Sequence, residues 1–177
     1  MLYPTLITPP TVEALTLDEA KDHLRVERDL TEENAEIQAM IDAAVKHMDG
    51  FTGILGRALM PQTWSQEYEC ARGDLVLPFG PVSSVSSVTF DSGAFTEYRL
   101  LQDGRGPFLR VNKGYGWPSG AVVVEFVAGY SACPDDLKSA LKLHVGSMYE
   151  FREMEAENVK PTLAYEALTD KYRRTVV

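Results

Sequence analysis

Two cysteines in 177 residues, Cys70 and Cys133, with no CxxC spacing, leave neither a zinc ribbon nor a disulfide framework to be read, and buried free thiols are expected instead. Histidine is nearly as scarce. His23, His47 and His144 fall in three separate helical segments with no i, i+4 partner of ligand type, so the pattern names no metal site. Basic residues are also in deficit, 17 Lys+Arg against 26 Asp+Glu for a net charge of −9, which argues against a groove built to hold phosphate backbone. The acidity concentrates at the start, where residues 1–60 carry 11 acids and 5 bases. No stretch is long and apolar enough to span a bilayer. The opening MLYPTLITPP lacks the basic flank and apolar core of a secretory signal, so a protein with no membrane role, made in the cytoplasm, is expected.

What is present is an ordinary globular composition, 45% hydrophobic and 24% charged, without repeats or low-complexity tracts, and it divides into three zones. Residues 1–60 read as helical after a lead-in punctuated by Pro4, Pro9 and Pro10. Thr16 followed by Glu19 is a capping box, with Leu17, Ala20 and Leu24 on one face behind it. Thr31, with Glu32 and Glu33 in the first turn, predicts a second helix. Its apolar seam runs through Ile37, Ile41, Ala44, Met48 and Phe51 and stops at Gly53 and Gly56. That seam packs on the domain's own core or makes a subunit contact.

Residues 61–130 switch period. TWSQEYEC alternates Trp64, Tyr68 and Cys70 against Ser65, Glu67 and Glu69, and further strands are expected at Tyr98–Leu101, Phe108–Val111 and Ala121–Val127. The turn-rich joints DSGAF, QDGRGP and NKGYGWPSG point to antiparallel pairing, as a small sheet or barrel. Tyr115 and Trp117 place two large aromatics in one turn, folded back on the sheet or offered to another chain. Residues 131–177 return to helix. Pro134, Asp135 and Asp136 suit a first turn, Leu137, Leu141, Val145 and Met148 keep the period, and a last helical segment from Pro161 to Tyr172 carries Leu163, Ala167 and Leu168 before a basic end.

The stretch AGYSACPDDLK invites comparison with a nucleophile elbow at Ser131, but Cys133 stands where the tight turn needs a small residue, and the strands before it are not the parallel ones an elbow requires. GRGP and KGYGWPSG do not open a helix after a strand, so neither is a phosphate cradle. Asp135-Asp136 is a dipole-matched helix start before it is an acid–base pair. The residues therefore call for no cofactor and no catalytic site. The fold class expected is α+β, a helical bundle from the first and third zones carrying an inserted antiparallel β zone.

The succession LTLDEAKDHLRVE, IQAMIDAAVKHMDGFTG, RALMPQTW, LPFGPVSSVSSVTF and VVVEFVAGYSACPDDLKSALKLHVGSMYEFRE resembles the head-tail connector (adaptor) proteins of long-tailed bacteriophages and gene transfer agents, over roughly Leu15 to Arg174. The resemblance implies a non-enzymatic virion neck protein, in a homo-oligomeric ring of twelve copies between the portal and a stopper or tail-completion protein, with DNA passing through the channel unread. It also implies a portal-docking carboxy-terminal segment, with Leu168, Tyr172, Arg173 and Arg174 as its contacts. Tyr115, Trp117, Ile37 and Ile41 are the candidates for subunit or tail-side contact. Two rival readings are a small cytoplasmic hydrolase using Ser131 or a carboxylate, and an oligomeric module holding a small ligand near Tyr115 and Trp117.

Overall fold

A computed structural model describes residues 3–104, 106–151 and 162–174. The chain forms two compact units. One takes the described parts of residues 1–12 and 60–131, the other residues 13–59 and the described parts of 132–174. Four α-helices and two open antiparallel sheets make the fold α+β.

The helical unit contains α1 (Leu17–Leu24), α2 (Asn34–Met48), α3 (Asp135–Glu150) and α4 (Leu163–Thr169), the last continued by a 3-10 turn, Asp170–Tyr172. Helices from the first and last thirds of the chain pack together, α3 meeting α1, α2 and α4. The Thr16–Glu19 capping box forms, satisfying two N–H groups that helix geometry leaves open. The second helix differs from expectation at both ends. It starts at Asn34 without a side-chain cap and ends at Met48, with Phe51 beyond it, because Asp49 turns into an extended conformation and its carboxylate accepts from the Leu59 N–H at 2.6 Å. Ile37, Ile41, Ala44 and Met48 are buried in the core of this unit with Leu137, Ala140, Leu141 and Val145 of α3.

The β unit holds β1 (Thr5–Thr8), β2 (Gln62–Tyr68), β3 (Leu75–Val76), β4 (Val82–Phe90), β5 (Gly93–Ala94), β6 (Tyr98–Asp103), β7 (Gly106–Val111) and β8 (Val122–Ala128). One sheet has the order β1-β2-β8-β4-β5 and the other β3-β7-β6. The barrel alternative is corrected: β1 and β5 end their sheet without pairing to each other, so it stays open. The proline-punctuated lead-in, with no strand expected, supplies β1 on the edge of β2.

In β4 the valines recur every third residue, against the period of two expected of a strand. Register slips between Val82 and Ser84 and between Val85 and Ser87 explain it: Val82, Val85 and Val88 sit opposite Ala128, Phe126 and Val124, the alternate residues of β8 on its buried face. Each bulge inserts one residue and keeps the next valine inward. Trp64 and Phe126 meet Phe79 edge to face, at 4.9 and 5.8 Å between centroids, and form the aromatic centre of this core.

Candidate functional site

The elbow-like stretch resolves at Gly129. With φ at +129°, and with a Cβ placed there lying 2.1 Å from the Met60 carbonyl oxygen, only glycine lets the backbone leave β8 beside Met60. Ser131 follows in an exposed bend. The glycine serves a close crossing of two backbones. Cys133 is half-buried, its thiol pushed up to about 11 by desolvation, which keeps it protonated; Cys70 is exposed, contrary to the expectation of two buried thiols, because β2 ends at Tyr68 before reaching it.

The histidines expected to stay apart do not. His47 of α2 and His144 of α3 meet edge to face at 5.0 Å, and Tyr165 of α4 closes on His144 at 5.9 Å. Burial, and then His47, hold the His144 pKa below the usual imidazole range. Among the described residues no group of three or more His, Cys, Asp or Glu side chains is placed to hold a metal ion. The pair is a packing contact that anchors α4.

The carboxy-terminal segment lies against its own helical unit. Tyr165 and Thr169 face inward; Leu163 is 85% exposed and Ala167 exposed. Of the apolar residues the last segment carries, Leu163 and Ala167 point out and Leu168 is partly covered, since Tyr165 and Thr169 take the buried side. Lys171 pairs with Asp136, and Tyr172 reaches the same carboxylate at 3.4 Å through its hydroxyl, while its carbonyl accepts from Arg57 Nε at 2.5 Å. The Arg174 N–H donates to the Leu55 carbonyl at 2.9 Å, and its half-buried guanidinium has its pKa lowered by desolvation and by the nearby Arg57. Arg173 is exposed, near Asp170 at 3.7 Å.

The turn aromatics divide their roles. Trp117 folds back, its centroid 6.1 Å from Phe90 and 5.4 Å from Phe95, and its Nε1–H donates to the Gly73 carbonyl at 2.8 Å. Tyr115 is 59% exposed. Arg110 clamps Asp74 with two hydrogen bonds, 2.7 and 2.6 Å, beside an open cleft of about 490 Å³ lined by Arg72, Asp74, Arg110, Tyr115 and Trp117. Ile37 and Ile41, proposed from sequence with them, are enclosed in the helical core.

No protein-family model matches the sequence, and no curated protein matches it. Solved structures do. The chain is similar to a protein in the neck of an empty gene transfer agent particle computed with C6 symmetry, at 26% identity and a TM-score of 0.81, over 99% of this chain and 97% of that one. It is similar to a chain in the virion of a native gene transfer agent particle at 25% identity and a TM-score of 0.78, over the same shares. End-to-end likeness across both units defines the fold as that of a structural component of a virion neck. It is consistent with the head-tail connector (adaptor) family that the sequence resembles. No described helix is long and apolar enough to cross a membrane.

Proposed function

We propose that this chain is the head-tail adaptor of a virion neck, one of twelve copies in a ring that sits between the portal and a stopper or tail-completion protein and extends the DNA channel. The observation that carries this reading is the likeness to the gene transfer agent neck over 99% of the chain, with both units included. The work of such a protein is to present faces, and it needs no reacting group. Its candidate faces are the outward side of α4 with Leu163 and Arg173, together with Leu168, Tyr172 and Arg174, toward the portal, and Tyr115 with the cleft beside Trp117 toward the tail side or a sister copy. Tyrosine and tryptophan are over-represented among the residues that anchor protein contacts.

Ending the chain after Pro161 removes α4 and the basic end. DNA-filled heads carrying this truncation are expected to lack tails. Because α4 also packs on α3 through Tyr165, Leu163→Glu with Arg173→Glu is the milder variant: both side chains are exposed, so the free protein should keep its melting temperature while tail attachment falls. Normal tail attachment by both variants would remove the portal-docking role of this segment.

A further inference from the structure

The five-stranded sheet of the β unit has two open edges with an uncommon shared property. On one side lies β1, all four residues exposed, with Leu6 and Ile7 at 42% and 52% exposure and Tyr3 at 82% just before it. On the other side β5 covers only Thr89 and Phe90 of β4, so the stretch Val82–Ser87 has no strand partner on that side among the described residues, and Ser83, Ser84 and Ser86 are exposed. Neither TLIT nor VSSVSS contains a charged residue, in a chain where 24% of residues are charged. Open strand edges carry unpaired N–H and C=O groups and invite pairing, and proteins that must stay apart guard them with lysines or inward charges. Here such charges are missing from both edges at once.

Limits on the pairing are nevertheless built in. Pro4 on one side and Pro9-Pro10 on the other bound β1 to four residues, since proline offers no N–H to a neighbouring strand. A four-residue strand is about 13 Å long, and the open stretch of β4 is about 20 Å. Its two bulges twist that edge, so a short strand can follow it where a long one could not. A closed ring is built from heterologous contacts, in which two different patches of one subunit meet on adjacent copies. Two edges of one sheet, alike in chemistry and with the shorter able to lie along the longer, are such a pair.

We infer that the occupant of each edge is a second copy of this chain: β1 of one subunit adds to the Val82–Ser87 edge of β4 in the next and carries the sheet from copy to copy around the ring. This rests on the ring reading above. Four residues supply few backbone hydrogen bonds, so the contact forms when copies are already held side by side and leaves the free protein unpaired.

The test is a disulfide trap in assembled particles. In a Cys70→Ser background, Ile7→Cys is combined in turn with Ser83→Cys, Ser84→Cys and Ser86→Cys; facing residues on adjacent strands bring Cβ atoms within disulfide reach. At least one pair is expected to give a ladder of covalent multimers on oxidation, absent from each variant that carries only one of the two introduced cysteines beside the native Cys133. Particles that contain normal amounts of the protein and attach tails, yet give no ladder from any pair, would overturn the edge pairing and leave the neck reading standing. Particles from which even the unaltered chain is missing would overturn both. Independently, Leu6→Asp with Ile7→Asp places charge on an exposed edge. The free protein should keep its melting temperature, and incorporation into particles should fall at least tenfold; undiminished incorporation counts against the inference.

Discussion

Lys21 is the most deeply buried charged side chain among the described residues, 1% exposed on α1, and its Nζ donates to the carbonyls of Arg28 at 3.0 Å and Leu30 at 2.6 Å. It holds the loop between α1 and α2 by supplying donors that the loop backbone lacks. Lys21→Met keeps the stem and removes the head; the two carbonyls lose their donors, and denaturant titration should show a loss of about 1–3 kcal/mol. Nothing in LTLDEAKDHL marks this lysine, because its partners are carbonyls whose positions depend on how the following loop folds. His144 makes a second case at this scale. Its pKa is lowered by burial and by His47, with Tyr165 the other ring against it, so the unfolded chain binds a proton that the folded chain refuses. The stability held by neutral His144 is present in full above the unfolded imidazole value of about 6.5 and is lost as pH falls from there through the lowered folded value. Melting temperature measured between pH 7.5 and 5 should fall more steeply for the native protein than for His144→Phe, which keeps a ring and cannot ionise; equal slopes would refute the assignment. The sequence showed three isolated histidines, and only the packing of α2 on α3 brought two together.

Among the elements, legibility followed how local the determining forces are. The capping box of α1 lies within four residues and could be read directly, as could the alternation in β2 that buries Trp64 and Tyr68. The short strand β1 was missed because its partner strand β2 is 55 or more residues away, and its prolines read as linker. The buried face of α4, Tyr165 and Thr169, could not be read from the sequence, because seven residues make too short a helix for periodicity to choose between Leu163 and Tyr165 as the inward residue. In the turn at 112–120, two aromatics of equal appearance separate by environment, which makes them a controlled pair. Trp117→Ala removes ring contacts with Phe90 and Phe95 and the hydrogen bond to Gly73, and should cost roughly 1–3 kcal/mol in the unfolding free energy. Tyr115→Ala should change stability by less than about 0.5 kcal/mol, as for other exposed side chains, while lowering tail attachment if Tyr115 is a contact. A Tyr115→Ala variant that melts normally and attaches tails normally would withdraw this turn from the contact surface.

At the scale of the whole molecule, the α+β class and the helix-sheet-helix order could be read because changes of hydrophobic period survive in any packing, whereas sheet closure and edge pairing depend on distant strands. The net charge of −9 likewise survives any rearrangement, and multiplied over a ring it becomes a strongly negative body. Protein binding to duplex DNA draws on the release of counterions when lysines and arginines neutralise phosphates, and its affinity falls with a slope set by the number of such contacts. In the described residues, part of the basic charge is already paired with carboxylates: Arg28 with Asp22, Arg110 with Asp74, Lys138 with Glu19 and Lys171 with Asp136. The DNA channel proposed above would gain from this, since DNA held by its wall would have to be released at every step of passage. Under the proposed adaptor role, rings assembled on portals should therefore retain no duplex DNA on a filter or in a mobility shift at low salt, where electrostatic binding is strongest. Retention that falls steeply as salt rises would show a basic track through the ring, and would count against an acidic channel that lets DNA pass without holding it.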